Sequence, residues 1–80
     1  MKEQFIQIIS DISYYNIEDM SFDLSLLEDL ALGSVMLVEL VATLEETFMV
    51  SLENCMGEIV SCETVGELYQ YIVNKIQNGK

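Results

Sequence analysis

Apolar residues recur at helical intervals in three places along this chain. Near the start, Phe5, Ile8, Ile9 and Ile12 follow the i, i+3, i+4, i+7 rule, with Glu3, Gln4, Gln7 and Asp11 on the other side. This spacing predicts a helix over about residues 2 to 14. Near the other end, Val65, Leu68, Tyr69, Ile72, Val73 and Ile76 repeat the rule. "TVGE", Thr64 to Glu67, supplies a capping box ahead of them: the Thr64 hydroxyl can accept from the Glu67 amide while the Glu67 side chain reaches back. Lys75 falls in the last turn, where a cation suits the helix dipole, and Gly79 follows as a stop. A helix is predicted there over about 65 to 77. In the middle, Leu37, Leu40, Val41, Leu44 and Phe48 fall on one stripe at about 100° per residue, so a third helix follows Ser34.

The segments between these helices are less regular. Residues 14 to 33 mix polar and apolar positions, and "SLLE", Ser25 to Glu28, reads as a second capping box that predicts a short helical turn. Residues 51 to 63 are irregular, with one short helix predicted around Asn54 to Val60. Nothing repeats internally and nothing looks like an interdomain linker. The pattern predicts an all-α four-helix bundle, three long helices plus one short, with one long crossover. It forms a single domain over residues 1–80.

The middle helix is unusual on its outer side. Opposite the core stripe lie Val35, Val38, Glu39, Ala42 and Glu46, with Met36 and Glu45 toward the edges. A small apolar strip rimmed by carboxylates is how a docking surface looks. The acids would steer a basic partner and the strip would supply contact area. The plainer reading is that Val35 and Val38 touch the long loop.

Charge sharpens this picture. Fourteen acidic residues face three basic ones, for a net charge of −11. Lys2, Lys75 and Lys80 are the only cations, so residues 3 to 74 contain none. Self-repulsion of this kind works against a compact state, so fold stability does not explain it. Nucleic acid is excluded as a partner because it would be repelled. A basic protein surface or divalent cations are the fitting counter-charges, and simple solubility is the plain alternative. An EF-hand is excluded: "NIEDMSFDLSLLED" lacks the glycine and the spacing of that loop.

Catalytic chemistry has little to stand on. A chain of 80 residues buries only about 60% of its unfolded surface, which leaves no room for an enzyme with a deep cleft and a second domain. It has no histidine, which removes His-dependent triads, His metal ligands and the usual general base. Cys55 and Cys62 are too few and too irregular for a disulfide framework or a zinc site and read as reduced thiols; no metal is expected. "MKEQFIQIIS" is too short and too Gln-interrupted for a secretory signal, and no segment is long enough to span a bilayer. A cytoplasmic protein without membrane insertion is the expectation.

Ser34 sits where the middle helix begins. Serine is a favoured N-cap, which is one reading of it. A helix N-terminus also suits a phosphate, with free amides and a positive dipole end. No neighbouring base makes Ser34 a nucleophile by itself. Any covalent chemistry there must be done by another enzyme.

Taken together, "GSVMLVELVATLEETF" resembles the signature helix of acyl carrier proteins, whose usual form is D-S-L-x-x-V-E-L-x-x-x-L-E-x-x-F. Ser34, Val38, Glu39, Leu40, Leu44, Glu45 and Phe48 match in register. "EDL" at Glu28 to Leu30, then Leu52, Val65, Tyr71 and Ile72, extend the likeness over roughly residues 3 to 77. The resemblance implies an acyl-carrier-protein-like bundle and a serine that receives 4′-phosphopantetheine from coenzyme A. It implies a phosphopantetheinyl transferase using magnesium as one partner. Acyl-loading and acyl-processing enzymes with basic docking surfaces are the others. Carried over, Ser34 is the attachment site, and Val35, Met36, Val38, Glu39, Ala42, Glu45 and Glu46 form the partner-binding face of a monomeric carrier that catalyses nothing itself.

Three positions depart from the family pattern. The aspartate before the serine is Gly33, the Gly-Ala before that is Ala31-Leu32, and the acid two places after the serine is Met36. The surroundings of the serine are therefore less acidic and more apolar than usual, which fits a specialised pathway or a partner-specific interface. Fatty acyl and polyketide cargo, aminoacyl or peptidyl cargo, and D-alanyl cargo share the same handle and stay open. An unmodified acidic interaction module is the further alternative.

Overall fold

The computed structural model describes residues 1–78. Four α-helices account for most of them: α1 Lys2–Ser13, α2 Ser34–Phe48, α3 Met56–Val60 and α4 Val65–Asn78, with a 3-10 turn at Ile17–Asp19. The predicted all-α bundle of three long helices and one short one is the fold observed. Gly79, expected to stop the last helix, lies outside the described residues.

Phe5 and Ile9 of α1, Leu40 and Leu44 of α2, Ile59 of α3 and Leu68 and Ile72 of α4 are fully buried and converge on one core. Thr47, near the end of α2, shares a groove with Glu3, Gln4 and Gln7 near the start of α1, so these helices run antiparallel. Tyr69 of α4 packs edge-on against Phe5 and stacks on Phe22, with ring centroids 5.1 Å apart in both pairs.

The long connection is part of the core. Leu26, Leu30 and Leu32 are all buried, which the mixed pattern of residues 14–33 did not foretell. Backbone bonds pin it to the start of α4: the Leu26 amide donates to the Glu63 carbonyl (2.9 Å), Val65 to Leu24 (3.0 Å) and Gly66 to Phe22 (3.0 Å). At Gly66 a Cβ would come 3.1 Å from the Phe22 carbonyl oxygen, so any side chain here would push the two segments apart by a few tenths of an ångström.

Several local expectations are corrected. The box at Ser25 closes one residue later than "SLLE" suggests. The Ser25 hydroxyl accepts from Glu28 (3.0 Å), but it is the Asp29 carboxylate that accepts from the Ser25 amide (2.7 Å). The chain makes one turn there, with the Asp29 and Leu30 amides both on the Ser25 carbonyl, before Leu30 and Leu32 turn inward. The helix expected from Asn54 starts at Met56, because the Cys55 amide closes a tight turn onto the Leu52 carbonyl (3.1 Å). The 3-10 turn was legible in hindsight from "NIED": the Asn16 side chain accepts from the Glu18 amide (2.9 Å). Leu37 and Phe48, placed on the core stripe, are only half-buried, because they lie at its two ends.

Candidate functional site

The start of α2 is built from a strained approach and a plain helix end. Ala31 adopts a left-handed conformation (φ 53°), which turns the chain after buried Leu30 so that Leu32 is also buried. Gly33 follows in an extended conformation and is the N-cap residue. Ser34 is therefore the first helical residue, one place inside the cap position that its residue type suggests. The difference matters chemically. Ser10, Ser13, Thr43 and Ser61 donate their hydroxyls to backbone carbonyls, and Ser21, Ser25 and Thr64 accept from amides. Ser34, exposed at the helix start, does neither among the described residues. Its hydroxyl is free to be modified without breaking a cap.

Of the seven residues expected on the docking face, five are exposed together along the outer side of α2. Val35 is 83% and Val38 58% exposed, so neither is covered by the long loop. Glu39, Ala42 and Glu46 are exposed beside them. Met36 and Glu45 are half-buried at the edges, as the helical wheel places them. Glu45 has a structural task as well: one carboxylate oxygen accepts from the Leu52 amide (2.6 Å) and ties the loop after α2 back to the helix. The two described cations face aromatic rings, Lys2 over Phe22 and Lys75 over Tyr71.

Beside this helix start lies a cleft of about 450 Å³. Leu32 and Leu37, which bracket Ser34 in sequence, line it together with Leu26 and Ile59. Leu27 and Val60, both exposed, stand at it as well. Sequence reasoning missed these two, because exposure of an aliphatic side chain on a loop or a five-residue helix leaves no periodic signal. Glu63 and Thr64 line it too. Cys62 also lines the cleft, and burial, reinforced by the charge of Glu67, pushes its thiol up from its ordinary range. At neutral pH it is a protonated, weakly reactive group. Across α3 and α4, the Tyr71 hydroxyl donates to the Glu58 carboxylate, and burial with this bond pushes its pKa up. No cluster of metal-ligating side chains occurs among the described residues.

The phosphopantetheine attachment site family matches residues 3–72, and the chain belongs to that family. The cofactor of the family is covalently attached 4′-phosphopantetheine. A search of curated proteins found no significant match. The residues fit the cofactor: Ser34 offers a free hydroxyl, the space at Gly33 is open, and the amides of the first turn of α2 lie ahead of the helix's first internal bond. The chain is a phosphopantetheine carrier. No helix among the described residues is long and apolar enough to cross a membrane.

Proposed function

We propose that Ser34 is the attachment residue and that the whole of residues 1–80 works as one acyl carrier domain, delivering acyl groups to partner enzymes of fatty acid, polyketide or a specialised biosynthetic pathway. The observation that carries this is the free, exposed Ser34 hydroxyl at the start of α2, inside the matched family region. When bound, the arm supplies a terminal thiol that holds cargo as a thioester. The chain's own contribution is attachment and presentation. In the loading step the Ser34 Oγ–phosphorus bond forms as the pyrophosphate bond of coenzyme A breaks. The nucleotide half leaves with the electron pair, and the serine proton passes to a base of the transferase.

Docking follows from the outer face of α2. Val35 and Val38 supply apolar contact, while Glu39 and Glu46 attract the basic surfaces of the transferase and the acyl-processing enzymes. The carrier is a monomeric, cytoplasmic, non-catalytic protein in this reading. The cleft favours acyl over aminoacyl or D-alanyl cargo in this reading, because much of its lining is aliphatic, Leu27, Leu37 and Val60 among it.

The test is direct. The protein is incubated with coenzyme A, magnesium and a broad-specificity transferase, and intact mass is measured. One phosphopantetheine is expected on the wild type and none on Ser34→Ala, with the helical circular dichroism unchanged. Addition to Ser34→Ala would move the site elsewhere. No addition to either would leave the chain an unmodified interaction module.

A further inference from the structure

We propose that the outer side of α1, with the 3-10 turn packed beside it, is a second docking surface and takes a basic amphipathic helix of a partner protein. It goes beyond the carrier reading and uses none of the residues of the outer strip of α2.

The inner side of α1 is complete, with Phe5 and Ile9 fully buried. On its outer side Glu3, Gln7 and Asp11, spaced at i, i+4 and i+8, form an exposed ridge. The Gln7 side-chain amide donates to the Asp11 carboxylate (2.9 Å) along that ridge. Two grooves flank it, and Glu3 and Gln7 line both. One, of about 510 Å³, lies toward the 3-10 turn and is lined by Ile6 and Ile17 together with Lys2. The other, of about 330 Å³, lies toward the end of α2 and is lined by Ile8 and Thr47. The Ser10 hydroxyl donates to the Tyr15 carbonyl (2.6 Å) and ties the approach to the 3-10 turn back to α1. The fold does not account for all the aliphatic side chains here. Ile6 stands outside the core spacing of Phe5, Ile8, Ile9 and Ile12, and Ile17 is 41% exposed in a turn that a polar residue would serve as well.

Charge sets the sign of the partner. Glu3 and Asp11 on the ridge and Glu18 and Asp19 on the turn are exposed. Lys2 is the one described cation that lines either groove, and its ammonium sits over the Phe22 ring, 5.2 Å from the centroid. Four carboxylates against one cation require a basic counterpart. The grooves set its form. Neither is lined by an aromatic ring, which a proline-rich segment needs, and no strand among the described residues offers an edge for an added strand. A helix fits: its aliphatic residues at i, i+3, i+4 and i+7 enter the grooves, and its flanking lysines or arginines meet the carboxylates. Thr47 lies 13 residues along α2 from Ser34, about 20 Å at the helical rise. A partner held on this surface leaves the start of α2 uncovered.

The experiment titrates two synthetic helical peptides of identical composition into the whole ¹⁵N-labelled chain at about 0.15 M salt. One peptide places its leucines at i, i+3, i+4 and i+7 among lysines; the other scatters the same leucines around the helix. NMR amide shifts give the site and the Kd. The amphipathic peptide is expected to shift Gln7, Ile17 and Thr47 saturably. Ile17→Ser and Glu3→Lys, both at exposed positions, should each weaken that binding about fivefold or more with the circular dichroism unchanged. Gln70→Ala on α4 should leave it within about twofold. Shifts confined to α2 would overturn the proposal, as would no saturation up to about 1 mM peptide. Equal binding of the scattered peptide would reduce the effect to charge attraction and overturn it too. Unchanged affinity in both Ile17→Ser and Glu3→Lys would do the same.

Discussion

The starts of α2 and α4 make an instructive pair. At α4 the Glu67 amide donates to the Thr64 hydroxyl (3.1 Å), and the Glu67 carboxylate accepts from the Glu63 amide (3.0 Å). The first residue inside, Val65, is fully buried. At α2 the cap is Gly33, the first turn has no acid, and Val35, the second residue inside, stands out in solvent. Both stretches begin a long amphipathic helix of one small core. One start is closed on itself by side chains and packing. The other keeps its hydroxyl, its amides and its aliphatic side chains available. In the reading proposed above, the open end is the one left for a cofactor and a partner to satisfy.

Truncating the two valines tests this contrast most strongly. Val65→Ala removes two buried methyls from a position with no exposed surface and should cost about 1.5–3 kcal/mol in denaturant unfolding. Val35→Ala should change stability by less than about 0.5 kcal/mol. A comparable loss at both sites would mean that the outer strip of α2 packs in solution and is not free to dock. The hydroxyls offer a finer comparison by the same measurement. Thr64→Ala should cost about 1 kcal/mol, the usual worth of a helix cap. Ser34→Ala should leave stability within about 0.5 kcal/mol while abolishing loading. A loss near 1 kcal/mol at Ser34 would show that its hydroxyl caps the helix after all.

The smallest expected effect concerns the approach to the site. Ala31 pays for its left-handed conformation (φ 53°), and the family pattern has glycine at this position. Ala31→Gly should stabilise the protein by about 0.5–1 kcal/mol in the same unfolding assay. No gain would mean that the loop relaxes this strain in solution. At Tyr14 and Met49, which end α1 and α2 in the same conformation, the side chains are exposed and mark helix stops and not a site.

The sequence by itself determined the helices and their faces, because a 3.6-residue period of apolar side chains leaves few ways to bury them. Phe5 and Ile9, Leu40 and Leu44, and Leu68 and Ile72 lie in the core as their spacing requires, and the α4 cap forms from the residue types that make caps. It also carried the pattern around Ser34 by which the family is known. Tertiary structure alone decided what no period encodes. Leu26, Leu30 and Leu32 are buried because the long loop is bonded across to the start of α4, a pairing between segments some forty residues apart. Glu45 holds Leu52 because the loop after α2 folds back on the helix. Ser34 falls inside the helix and not at its cap because the turn at Ala31 sets where α2 begins, and that one-residue difference frees the hydroxyl. Short-range propensity fixes which residues turn together, but the long-range contacts set where each turn starts and what remains uncovered.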